Sequence, residues 1–227
     1  MKTIIKTVLA ISLGMSLFAC KQSGMVYPAS GAINVINVVV GGTSLYLNNA
    51  TTGAVKNNSA ATFPLLAGQV QVNLSTLATT TVPSVTYYNQ LISMTGTGNI
   101  SLFLSGASPA NVDTTRINET YKNYADSLCG VRFINLAPGS QTISVNLKGN
   151  TNGSEVTSLA YRSYSSFIQY PAKLANQSYV FEIRDAATGS LIISYTLATP
   201  YFHNVTIALR GLIGGSPAAG ITLVSHP

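Results

Sequence analysis

The chain has no tryptophan, two cysteines, two histidines and only six acidic residues among 227. Charged residues make up 8% of it, about a third of the usual ~25%. So little charge excludes a coiled coil or long solvent-facing helices, which need Glu, Lys and Arg on their outer faces, and it excludes charge-driven disorder. Six carboxylates and two histidines are a thin supply for acid–base chemistry or a metal-ligand cluster. No apolar run reaches the length of a membrane-spanning helix. What is abundant is Ser, Thr, Asn and Gln set among a 46% apolar fraction, the composition of an all-β protein of a cell envelope.

Residues 1 to 19 carry Lys2 and Lys6 followed by an uncharged apolar stretch from Thr7 to Phe18, too short to cross a ~30 Å hydrocarbon core. They read as a signal peptide. Its end, Leu17-Phe18-Ala19-Cys20, resembles the lipobox of bacterial lipoproteins. That resemblance implies cleavage between Ala19 and Cys20 and acylation of Cys20, with two or three acyl chains anchoring the chain to the membrane at about 0.8 kcal/mol per buried CH₂. With Lys2 and Lys6 removed, the net charge falls from +6 to +4. The remaining cations are scattered singly, so nucleic acid is not an expected partner. Lys21 follows the cysteine and no aspartate adjoins it, so the expected address is the outer membrane, on its periplasmic face or at the cell surface. Acylation of Cys20 leaves Cys129 without a partner, and its apolar setting reads as a small buried hydrophobe.

Laid on itself at an offset of 98, the chain aligns residues 33–48 with 131–146 without a gap. Ile36, Asn37, Gly41 and Asn48 recur as Ile134, Asn135, Gly139 and Asn146. Each copy reads as a β-hairpin, two strand-like runs around a Gly/Pro turn. Further short strands are expected at Gln69 to Leu74, Ser84 to Met94, Asn99 to Leu104, Tyr161 to Tyr170, Tyr179 to Arg184, Leu191 to Leu197, Val205 to Arg210 and Ile221 to Val224. The resulting expectation is all-β: a tether over 20–27, a first sandwich domain over 28–108, a linker over 109–127 and a second sandwich domain over 128–227.

Val131-Arg132-Phe133-Ile134-Asn135-Leu136-Ala137-Pro138-Gly139-Ser140, with Ile143 to Asn146, Phe181 to Asp185 and Thr206 to Gly211, resembles the domain of unknown function numbered 4397, in its Bacteroidetes lipoprotein branch. The first half is a divergent copy with Val40 in place of the turn proline. The resemblance implies tandem immunoglobulin-like sandwiches and an envelope address; it implies no reaction.

No catalytic, metal or cofactor residues are assigned. Gly214-Gly215-Ser216-Pro217-Ala218 departs from a nucleophile elbow at its last residue and has proline after serine, which leaves a hydrolase as the weakest reading. His226 reads as a mobile chain end and His203 as a turn or edge residue. The expected role is therefore a non-catalytic structural or interaction module with an envelope protein as partner. The alternative is a glycan-binding surface lipoprotein, because Tyr161, Tyr164, Phe167 and Tyr170 fall within ten positions and aromatic faces stack on sugars. Asp113-Thr114-Thr115 and Asp126-Ser127-Leu128 resemble Bacteroidetes O-glycosylation acceptors, marking Thr114 and Ser127.

Overall fold

The computed structural model describes residues 30–124, 127–173, 178–198 and 203–226. Ala19, Cys20 and the leader lie outside the described residues. The first half forms β1 (Ser30–Asn37), β2 (Tyr46–Leu47), β3 (Ser59–Leu66), β4 (Gly68–Ser75), β5 (Thr86–Met94), β6 (Asn99–Ser108) and β7 (Asn111–Glu119). The second forms β8 (Leu128–Asn135), β9 (Ile143–Leu147), β10 (Val156–Leu159), β11 (Ile168–Pro171), β12 (Ser178–Asp185), β13 (Leu191–Ala198), β14 (Asn204–Arg210) and β15 (Gly220–His226). Each half builds its own two sheets. In the first these run β3-β1-β6-β7 and β2-β4-β5; in the second they run β11-β8-β14-β15 and β10-β9-β12-β13. The protein is thus all-β, and each half is a sandwich.

The repeated segments are not hairpins. β1 and β2 belong to different sheets, as do β8 and β9, so each repeat is a corner that carries the chain from one sheet to the facing one. Ladder pairing explains this. Both edges of β1 are already filled, by β3 antiparallel and by β6 parallel, and both edges of β8 by β11 and β14 in the same senses. Gly41 and Gly139 make the corner at φ of 67° and 72°, a left-handed region open to glycine without a Cβ clash. Asn37 and Asn135 hold it from inside. Asn37 Nδ2 donates to the Thr43 carbonyl at 2.8 Å, while Asn135 Nδ2 donates to Ser140 Oγ and its Oδ1 accepts from the Ala137 amide.

β1 and β8 are buried on both faces along most of their length, so their apolar residues do not alternate with exposed polar ones. Ile33 and Val35 enter the core of the first sandwich with Val72, Ile92 and Leu102. Val131 and Phe133 enter that of the second with Val145, Phe181 and Ile207. The alternate residues of both strands meet in a third core that joins the halves: Ile36, Val38, Phe103 and Ile117 against Ile134, Leu136, Ala208 and Val224.

This junction is built from equivalent positions. Ile36 lies opposite Phe103 in its sheet and Ile134 opposite Ala208. Extending the registers makes Asn99 equivalent to Asn204, Ile117 to Val224 and Glu119 to His226. The two halves therefore pack back to back through the same face of each, the arrangement of a two-fold dimer within one chain.

Four further expectations need correction. The expected linker over 109–127 holds β7, paired along β6 from Asn99 opposite Glu119 to Ser108 opposite Asn111, so the first sheet continues past residue 108. Its polar alternation hid an edge strand that pairs with the strand just before it across the Pro109-Ala110 turn. The strand expected over Tyr161 to Tyr170 is confined to Ile168–Pro171, because Arg162 turns the chain at φ 66°. β3 and β10 are strands beyond the expected set; Pro64 fits in β3 because an edge strand tolerates the missing N–H. His226 is not a mobile end: it closes β15 with 3% of its surface exposed.

Candidate functional site

The most polar buried assembly of the molecule lies at one end of the junction between halves. β8 carries a single charge into an otherwise apolar strand, Arg132, on the face turned toward the first half. β7 ends on Glu119 opposite it. Their side chains are 4% and 1% exposed and form a two-pronged pair, Arg132 Nη1 to Glu119 Oε2 at 2.9 Å and Nη2 to Oε1 at 2.6 Å. This fork-on-fork geometry is the one that best offsets the desolvation of two buried charges. The guanidinium also lies 4.6 Å from the Phe167 ring centroid and 5.7 Å from that of Tyr164, which adds cation–π attraction.

The remaining donor continues the network. Arg132 Nε donates to Thr206 Oγ1 at 3.0 Å, and the Thr206 hydroxyl shares a hydrogen bond with His226 Nε2, 2.8 Å away. On the other side of the ring, His226 Nδ1 and the Tyr121 hydroxyl share a hydrogen bond at 3.0 Å. Tyr121 and His226 are stacked with centroids 5.0 Å apart. Burial and the Arg132 charge push the His226 pKa down to about 4, with Glu119 acting the other way. Burial, reinforced by Glu119, pushes the Tyr121 phenol up to about 12. Both groups are therefore neutral at pH 7.

The opposite end of the junction is fastened separately. Tyr161 donates to Asp113 Oδ2 at 3.0 Å and shares a hydrogen bond with Ser105 at 2.9 Å. Arg162 Nη2 donates to the Thr114 carbonyl at 2.5 Å. Across the far seam, Thr222 Oγ1 donates to the Asn58 carbonyl at 3.3 Å.

The four aromatic residues that suggested a sugar platform do not share a face. Tyr170 is buried in the second core, bonded to Glu155. Tyr161 is committed to the junction, Phe167 is half-buried against Arg132, and Tyr164 alone is well exposed, at 47%. Thr114 lies half-buried within β7, paired with Leu104, and Ser127 half-buried at the entry to β8 with φ 29°. Cys129 is fully buried, and burial pushes its thiol up. His203 is exposed before β14. Among the described residues no group of three His, Cys, Asp or Glu could hold a metal ion, and no helix is long and apolar enough to cross a membrane. Sequence reasoning passed over Arg132, Glu119, Tyr121 and His226 as a set. The available signal was the lone arginine inside Leu128-Cys129-Gly130-Val131-Arg132-Phe133-Ile134, since a charge in a run buried on both faces demands a partner.

Fold and site together define an all-β chain of two sandwiches joined by a buried ionic lock. No family model matches the chain, and no curated protein matches it. Among solved structures it is similar to a carbohydrate-binding module of family CBM26 from the Eubacterium rectale protein Amy13K, solved in complex with maltoheptaose. The match has 11% identity and covers 87% of this chain and 97% of that one, with a TM-score of 0.29. At that score it carries no argument about this chain's fold or ligand.

Proposed function

We propose that this chain is an outer-membrane lipoprotein, anchored through acyl chains on Cys20, whose paired sandwiches form a non-catalytic module that holds a partner in the cell envelope. The observation that carries the reading is the junction. Eight side chains of the third core and the Arg132–Glu119 lock fix the two halves as one unit, which suits a stiff spacer or display platform. The chemistry-bearing residues at the junction are consumed in holding it. Two sequence features support the address: the Leu17-Phe18-Ala19-Cys20 lipobox, and the ten residues 20–29 before β1, whose reach is at most ~36 Å. Such a tether keeps the first sandwich close to the bilayer. Membership of the 4397 domain family belongs to the same proposal, on the residues that carry the resemblance.

The test is lipid attachment in the full-length chain. Wild type is expected to incorporate labelled palmitate and to partition into detergent, and Cys20→Ala to do neither. Continued palmitate incorporation by Cys20→Ala overturns the anchor. A glycan as the held partner is the second reading, favoured by a polar cleft on the first sandwich.

A further inference from the structure

β5 and β7 are outer strands of the two sheets of the first sandwich, and the gap between them is a cleft of about 490 Å³, large enough for one or two sugar units. Tyr88, Asn89 and Gln90 wall it from β5, and Val112, Thr114 and Arg116 from β7. Tyr88 is half-buried and packs against the core, so its ring is fixed rather than free to collapse. Burial raises its phenol while the Arg116 charge lowers it, which sets ring and guanidinium within electrostatic reach of each other. Gln90 shares the inner face of β5 with Tyr88, since they lie opposite Val72 and Leu74 of the core, whereas Asn89 is on the outer face, accepting from Gln71 Nε2 at 2.6 Å. Arg116 forms no ion pair among the described residues, unlike Arg132, Arg162 and Arg184.

The second sandwich shows what these positions need for folding alone. Leu104 lies opposite Thr114 and Leu102 opposite Arg116; at the equivalent places Leu209 lies opposite Ile221 and Ile207 opposite Leu223. Aliphatic side chains thus serve the same strand in the second half, with Ile221 packed against the core. Thr114 and Arg116 are a departure in chemistry that the architecture does not require.

We propose that the β5–β7 cleft binds an acidic saccharide, with its carboxylate or sulfate on Arg116, a sugar face on Tyr88, and ring hydroxyls on the Gln90 amide and the Thr114 hydroxyl. A single uncompensated cation beside an aromatic ring and several neutral groups that both donate and accept matches a polyol bearing one negative charge. The site goes beyond the anchored-module reading and is independent of the anchor, since Cys20→Ala leaves it intact.

The test titrates the full-length chain, solubilised in detergent, with trigalacturonate, a sulfated galactose disaccharide, maltotriose and a hexaglutamate peptide, following tyrosine ring resonances. At least one of the two acidic sugars is expected to bind in the range of about 0.1–1 mM, weakening as salt is added. Whichever acidic sugar binds identifies carboxylate or sulfate as the group recognised. Arg116→Gln is expected to lower that affinity about tenfold or more, and Tyr88→Ala to lower it comparably. Arg116→Gln alters an exposed side chain and is expected to keep the wild-type melting temperature, so a loss of binding is not a loss of fold. The proposal is overturned by any one of four results: no binding of either acidic sugar, an affinity unchanged in Arg116→Gln, maltotriose binding as tightly as the acidic sugars, or hexaglutamate binding more tightly than both.

Discussion

Replacing Arg132 by methionine keeps most of the side chain's length and removes only its charge and donors. The Glu119 carboxylate, 1% exposed, is then left in the junction without the guanidinium that makes both of its hydrogen bonds. Breaking a buried pair from one side costs about 3–5 kcal/mol, because the stranded charge keeps its desolvation penalty. For a chain of this size each kcal/mol moves the melting temperature by about 2–4 °C, so Arg132→Met is expected to lower it by about 6–20 °C. The double variant Arg132→Met/Glu119→Leu removes both charges and restores an apolar contact beside Ile117, and it is expected to be more stable than Arg132→Met alone. A double-mutant cycle in urea, read by near-ultraviolet circular dichroism of the tyrosines, gives the coupling, expected at about 2 kcal/mol or more. An Arg132→Met loss below about 1 kcal/mol, or single losses that simply add, would refute the claim that this pair locks the halves together.

His226 gives the junction a pH dependence. Its pKa is about 4 in the native protein and about 6.5 when unfolded, so between those values the unfolded state binds more protons and stability falls with pH. About 3 kcal/mol is lost as pH drops from 6.5 to 4, and His226→Gln is expected to flatten urea stability over that window; an unchanged slope overturns the assignment. The equivalence of the two halves is tested by exchanging Phe103 and Ala208, which face the third core from matching places. Phe103→Ala is expected to cost about 3–5 kcal/mol and Ala208→Phe about 1–3, while the double exchange recovers part of the loss by returning a ring to the same core. Strictly additive losses in thermal denaturation would argue against a two-fold junction.

Much of the architecture is legible in the residues themselves. Low charge, short apolar runs and turn punctuation determine an all-β chain, and the match of Ile36, Asn37 and Gly41 to Ile134, Asn135 and Gly139 exposes the repeat. The match stops where it does because the loops differ in length. From β6 to β14 the offset becomes 105, Asn99 to Asn204, and from β7 to β15 it becomes 107, Glu119 to His226. A single fixed offset therefore shows only the first corner of each copy.

Tertiary structure decided the rest. Whether two adjacent strands form a hairpin or a corner depends on which neighbours have already filled their edges, and β6 and β14 come from 67 and 74 residues away. The polar strand β7 reads as a connection because, although its ladder partner β6 is next to it in the chain, the surface that Ile117 packs against is supplied by the other half. Arg132 is visible in the sequence as a misplaced charge. Its partner is not: Glu119 reaches it only because two equivalent sheet faces pack against each other, and His226, next to last in the chain, is buried for the same reason. The cleft of Tyr88 and Arg116 likewise has no signature along the chain, since β5 and β7 lie in different sheets and meet only where the first sandwich opens.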